Sequence, residues 1–92
     1  SLFETVKDAP VYVTLDLDVL DPSFLPGTGT PEPGGATFSE LLKALTLLAD
    51  LNVVGTDLME LAPLLDPSGA STAVACKLLR EWLLLLSRPE RA

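Results

Sequence analysis

Histidine is absent from this 92-residue chain, and cysteine occurs once. A metal site built from these residues alone therefore draws on carboxylates. A single cysteine excludes a disulfide framework and fits a reducing compartment, so a cytoplasmic location is expected. Cys76 sits in the small apolar run Ala73-Val74-Ala75-Cys76 and is expected to be a packed core thiol. Basic residues are scarce: six Lys and Arg face thirteen Asp and Glu, for a net charge of −7. A nucleic-acid partner needs cations to displace phosphate counterions, so that class is excluded. No apolar run approaches the roughly 18 residues of a membrane span. No basic start followed by an apolar centre marks a signal peptide, so no membrane partner is expected. The chain opens on Ser1-Leu2-Phe3 without an initiator methionine, and it is expected to be the inside of a longer protein.

Apolar residues make up 48% of the chain, an ordinary share that is unevenly spread. The stretch from Ser71 to Leu86 is apolar on nearly every side, with Lys77, Arg80 and Glu81 as polar relief. A helix apolar all round is normally buried all round, and so short a chain has little else to cover it. Residues 1–92 therefore read as a single partial domain. Its last helix is expected to bury against a missing N-terminal half or a second copy of the chain.

The coarse order is β-loop-α-β-loop-α. Val11 to Asp16 or Leu17 is a strand poor in polar residues, as in a sheet covered on both faces. Residues 20–36 are rich in Gly and Pro and form a long ordered loop, a kind more often functional than accidental. Thr37-Phe38-Ser39-Glu40 is a capping box opening a helix to about Asp50, with Leu41, Leu42, Leu45, Leu48 and Ala49 inward. Val53 to Glu60 is a second strand. Asp66-Pro67-Ser68-Gly69 is turn chemistry, and Asp66, Ser68 or Ser71 can cap the last helix. Arg88 to Ala92 is a polar tail. Strand, crossover helix and strand imply a right-handed parallel pair. Ligands of such sheets gather beyond the carboxyl ends of the strands.

That rim carries the chemistry. Asp16 and Asp18 are two apart, and in a strand such residues project to the same face. Two adjacent negative charges repel unless a proton or cation sits between them, which points to a divalent metal. Three other readings bear on the same residues. Asp16 and Asp18 can be turn and capping residues, with Asp21-Pro22 making the turn. An EF-hand loop fails, because its sixth and twelfth positions are Asp21 and Gly27 here. An Asp-x-Asp phosphatase usually has a small hydroxyl residue where Leu20 stands. Glu60 ends the second strand at the same rim. Asp57, on the opposite strand face, and Asp21 are expected to be structural. The Gly34-Gly35-Ala36-Thr37 stretch lacks the lysine of a phosphate-binding loop, so its glycines are expected to allow close backbone approach.

Thr14-Leu15-Asp16-Leu17-Asp18-Val19-Leu20-Asp21-Pro22, followed by Pro26-Gly27-Thr28-Gly29-Thr30-Pro31-Glu32-Pro33-Gly34-Gly35, closely resembles the C-terminal signature of the ureohydrolases, the arginase and agmatinase family. Val53 to Pro63 resembles the family's next block in order and spacing. The loop is worded more like agmatinases than arginases, which tend to carry Ala at the position of Gly27. The resemblance implies an α/β fold, the C-terminal segment of a three-layer α/β/α sandwich with a mostly parallel sheet. It implies two manganese ions at the carboxyl rim, Asp16 bridging both, Asp18 binding one, and Glu60 pairing with the guanidinium group of a small-molecule substrate. Hydroxide held between the metals would attack the guanidinium carbon and release urea and an amine. The family's other ligands lie in upstream histidine-containing motifs, so this chain holds half a site and is expected to be inactive alone. A second expectation is a stand-alone, non-catalytic half-fold acting through protein association. Thr14 stands for the usual Ser, and Leu61-Ala62 stands where the family tends to carry a polar residue before the proline.

Overall fold

The structure is a computed structural model and describes residues 2–89. Its elements run α1 (Leu2–Val6), β1 (Pro10–Asp16), α2 (Phe38–Leu48), β2 (Asn52–Met59) and α3 (Ala70–Ser87), with 3-10 turns at Leu17–Val19 and Pro63–Leu65. The two 3-10 turns and α1 were not anticipated, and α1 carries no buried residue. The expected polar tail falls partly on residues 90–92, outside the described residues.

The two strands pair in parallel, with Thr14 opposite Asp57 and Asp16 opposite Met59. One register shift lies between Val11 and Tyr12. Gly55 faces Tyr12, and a Cβ there would meet the ring at 2.7 and 2.8 Å, so the position has no room for a side chain.

The capping box forms as read. Thr37 Oγ1 accepts from the Glu40 amide at 3.0 Å, and Glu40 Oε1 accepts from the Thr37 amide at 2.9 Å. This satisfies two donors that a helix start otherwise leaves orphaned. Leu41, Leu45 and Ala49 are buried on the inner side of the helix and its cap, while Leu42 and Leu48 are half-buried. Leu41, Leu45 and Ala49 meet Leu15, Leu17, Leu20, Leu25, Ala75, Leu78 and Trp82 in one core, with Leu48 packed against it; Leu42, expected inward, is not part of it.

The helices supply that core from one side of the sheet. Val13 and Leu15 turn toward it, whereas Tyr12, Thr14 and Asp16 are exposed on the other face. Among the described residues the expected coverage of both sheet faces is therefore not achieved; the helices pack on one face. The same cause accounts for α3. Ser71, Ala75, Leu78 and Trp82 are buried, but Leu79, Leu83 and Leu84 remain 38%, 50% and 54% exposed. Cys76 is also exposed, not the packed thiol expected, because it lies on this uncovered stripe. Trp82 Nε1 donates to Thr56 Oγ1 at 3.0 Å, and the Thr56 hydroxyl donates to the Val13 carbonyl at 2.8 Å. An ion pair between Arg88 and Asp50 ties the end of α3 to the end of α2. No helix among the described residues is long and apolar enough to cross a membrane.

Candidate active site

Asp16 ends β1, and Asp18 lies two residues beyond it, in the 3-10 turn. The expectation that a shared strand pleat aims both carboxylates one way is therefore corrected. The strand stops because Asp16 Oδ1 accepts from the Asp18 amide at 2.8 Å, which starts the turn. The two residues are brought together by a cap. Asp18 Oδ2 accepts from Thr30 Oγ1 at 2.7 Å. Its Oδ1 is buried and has no hydrogen-bond partner among the described residues. A buried carboxylate oxygen without a donor carries a desolvation cost that a cation would offset.

Asp21 is a loop anchor. Its Oδ1 accepts from the Ser23 hydroxyl and amide at 2.7 and 2.9 Å. Its Oδ2 accepts from the Gly34 and Gly35 amides at 2.8 and 3.2 Å. These donors, the Ser23 hydroxyl foremost, hold its carboxyl down at about 2. Gly35 packs on the backbone of residues 19–21, where a Cβ would come within 2.7 Å of the Asp21 nitrogen. The close approach expected of the glycines is realised there.

Gly27 forms a joint. Its amide donates to Ser71 Oγ at 2.8 Å, and its carbonyl accepts from the Ala62 amide at 2.7 Å. Ser71 in turn donates through its hydroxyl and amide to Asp66 Oδ2 at 2.6 and 2.8 Å. The Ser68 hydroxyl donates to Asp66 Oδ1 at 2.6 Å and, with Ser71, depresses the Asp66 carboxyl to about 2. The helix cap itself is Gly69, with Asp66 and Ser68 as acceptors for the first amides. A Cβ at Gly27 would lie 2.8 Å from Ser71 Cβ and Oγ, which is why glycine stands there. This joint binds the loop after β1 to the segment that follows Glu60.

Glu60 lies just past β2, not within it as expected, because its backbone leaves the extended region at φ 78°. It is the sole non-glycine residue with positive φ among the described residues. Such strain persists where surroundings enforce it and concentrates at functional sites. Asp57 accepts from the Thr14 hydroxyl at 2.6 Å and the Tyr12 hydroxyl at 3.0 Å on the open sheet face. The bond to Asp57 raises the Tyr12 phenol above its ordinary value. These two bonds join the neighbouring strands through the Asp57 carboxylate.

Asp16, Asp18 and Glu60 thus stand at one rim, at the carboxyl ends of neighbouring strands. Two hard carboxylates, one with a buried unpartnered oxygen, fit part of the shell of a divalent ion. Among the described residues, no three His, Cys, Asp or Glu side chains converge to hold a metal by themselves. Thr30 and Ser71 were not singled out as site residues by sequence. The hydroxyl pattern of the Gly-Thr-Gly-Thr run was the available signal for Thr30.

Known proteins give this arrangement a lineage. The model of the arginase family matches residues 1–85. An agmatinase of Halalkalibacterium halodurans is 55% identical over 76 residues, 80% of this chain and 26% of the relative. An agmatinase of Chromobacterium violaceum is 49% identical over 83 residues, 90% of this chain and 26% of the relative. The solved proclavaminate amidino hydrolase of Streptomyces clavuligerus superposes with a TM-score of 0.84 at 45% identity, covering 92% of this chain and 28% of its own. The chain spans about a quarter of the length of the curated relatives it matches. Its fold is a segment of their α/β sandwich, and the chain belongs to the arginase family.

Proposed function

We propose that residues 1–92 are the C-terminal part of a binuclear-manganese ureohydrolase, agmatinase-like in its loop, that hydrolyses a guanidino compound to urea and an amine. The observation that carries the reading is the Asp18 carboxylate, with one oxygen held by Thr30 and the other buried without a donor, directly beside Asp16. In this reading Asp16 would be shared between the two metal ions and Asp18 would serve one of them. Two Mn²⁺ ions, when bound, lower the pKa of a water molecule and supply hydroxide near neutral pH.

Glu60 has a different task. A carboxylate offers a planar guanidinium charge-assisted and potentially bidentate hydrogen bonds. Its backbone, at φ 78°, sets the direction in which the side chain leaves the end of β2. It orients the guanidinium carbon toward the metal side while Gly27 keeps the two loops in register. The chain alone supplies too few ligands for two metals and is inactive by itself. The rest of the enzyme, or a second copy, would cover the exposed stripe of α3. Cysteine usage supports a cytoplasmic location.

Residues 1–85 substituted for the matching stretch of the C. violaceum agmatinase test the proposal. The chimera is expected to bind Mn²⁺ and release urea from agmatine. Asp16→Ala should cost it more activity and metal than Asp18→Ala. The 92-residue chain with added Mn²⁺ should release none. A folded chimera that neither binds Mn²⁺ nor releases urea would overturn the reading in favour of a non-catalytic half-fold.

A further inference from the structure

We infer that Thr30 is a positioning residue for Asp18: its hydroxyl holds one carboxylate oxygen so that the other is presented to a divalent cation. The inference rests on the function proposed above. Thr30 Oγ1 donates to Asp18 Oδ2 at 2.7 Å, across twelve residues of chain. The terminal torsion of an aspartate is broad, so a lone carboxylate on a turn samples many orientations. Fixing Oδ2 with a charge-assisted donor fixes Oδ1 as well, because the two share one plane. Oδ1 is then the oxygen left buried without a hydrogen-bond partner among the described residues.

The donor is itself held in place. Thr30 lies three residues beyond Gly27, whose amide is gripped by Ser71 and whose carbonyl is gripped by Ala62. The Thr28 amide donates to the Pro26 carbonyl at 2.9 Å and tightens the same bend. A threonine on an exposed loop is ordinarily free to turn to water. This one is spent on a carboxylate at the site.

Outer donors of this kind orient metal ligands, and their loss typically weakens metal binding about 10- to 100-fold. The test is Mn²⁺ titration of the full-length enzyme followed by electron paramagnetic resonance, with thermal melting of the metal-free protein alongside. Thr30→Val is expected to weaken Mn²⁺ binding by about tenfold or more with an unchanged metal-free melting midpoint. Thr30→Ser, which keeps the hydroxyl, is expected to bind close to the unaltered protein. Unaltered affinity in Thr30→Val, or equal loss in Thr30→Ser, would overturn the positioning role and leave the proposed function standing. Failure of the unaltered enzyme to bind Mn²⁺ would overturn both.

Discussion

The Trp82 indole donates to Thr56 Oγ1 at 3.0 Å, and the Thr56 hydroxyl in turn donates to the Val13 carbonyl at 2.8 Å. One hydroxyl thereby fastens α3 to both strands beneath the rim. Trp82→Phe, which keeps a ring but no donor, should cost about 1–2 kcal/mol, whereas Trp82→Ala should cost about 3–5. Thr56→Val should cost about 1–3 kcal/mol because it leaves the buried indole donor unpaired. The Trp82→Phe/Thr56→Val pair should lose less than the sum. Additive losses in thermal melting of the full-length enzyme would show that the two side chains are uncoupled.

Glu60 separates stability from function. Glu60→Gly removes the side-chain cost of the left-handed backbone, about 1–2 kcal/mol, and adds glycine's entropy cost of about 0.5–1 kcal/mol. The melting midpoint should hold while guanidino substrates are no longer used. Glu60→Gln should leave manganese binding intact and lose substrate use if, as proposed, its charge pairs with the substrate's guanidinium rather than with a metal. Metal analysis decides: loss of manganese in Glu60→Gln would make Glu60 a ligand.

Gly27→Ala should destabilise the enzyme by about 1–3 kcal/mol, because the added Cβ meets Ser71 and Asp66 in a filled space. Gly29 has nothing within 4 Å of a Cβ, so Gly29→Ala should change stability by no more than about 0.5 kcal/mol. Equal melting of the two variants would mean that the contact at Ser71 yields freely.

Asp66 and Asp21 make the fold sensitive to acid. Their carboxyls are lowered from 3.8 to about 2 by donors present only in the folded state. A depressed carboxylate contributes its stability above the unfolded value and loses it as the pH falls through the folded one. Stability should therefore decline between about pH 4 and pH 2. Asp66→Asn should flatten that decline and lower stability at neutral pH. A pH series of melting curves with the same slope in both proteins would contradict this.

The isolated chain should self-associate. Leu79, Leu83 and Leu84 are substantially exposed along α3. Burying a few hundred Å² there would contribute several kcal/mol at about 25 cal/mol per Å², offset in part by the entropy of association. Sedimentation across a concentration series should show mass rising with concentration, and Leu83→Lys should suppress the rise. A monomer at every concentration would refute it.

Local chemistry was legible in the sequence where donor and acceptor are neighbours. The Thr37–Glu40 box, the Asp21 turn and the crossover order all lie within a few residues or follow from strand handedness. The rim itself followed from topology. What escaped depends on distant chain. Thr30 reaches Asp18 across twelve residues, and Ser71 reaches Gly27 across 44, with no periodicity to announce either. Glu60 adopts a backbone that sequence would assign to glycine. Cys76 was misplaced because an apolar neighbourhood signals burial without saying which chain provides it.

Ser71 hydrogen-bonds Asp66 and Gly27, and through the Gly27 peptide it is joined to both halves of the rim. Inherited variation at the first turn of α3 would therefore shift the geometry of the rim from a position outside it. Positions 27 and 71 set the room left for each other, so replacements at one should persist in a lineage only alongside accommodating replacements at the other. A sequence survey that weighed each site singly would miss that shared constraint.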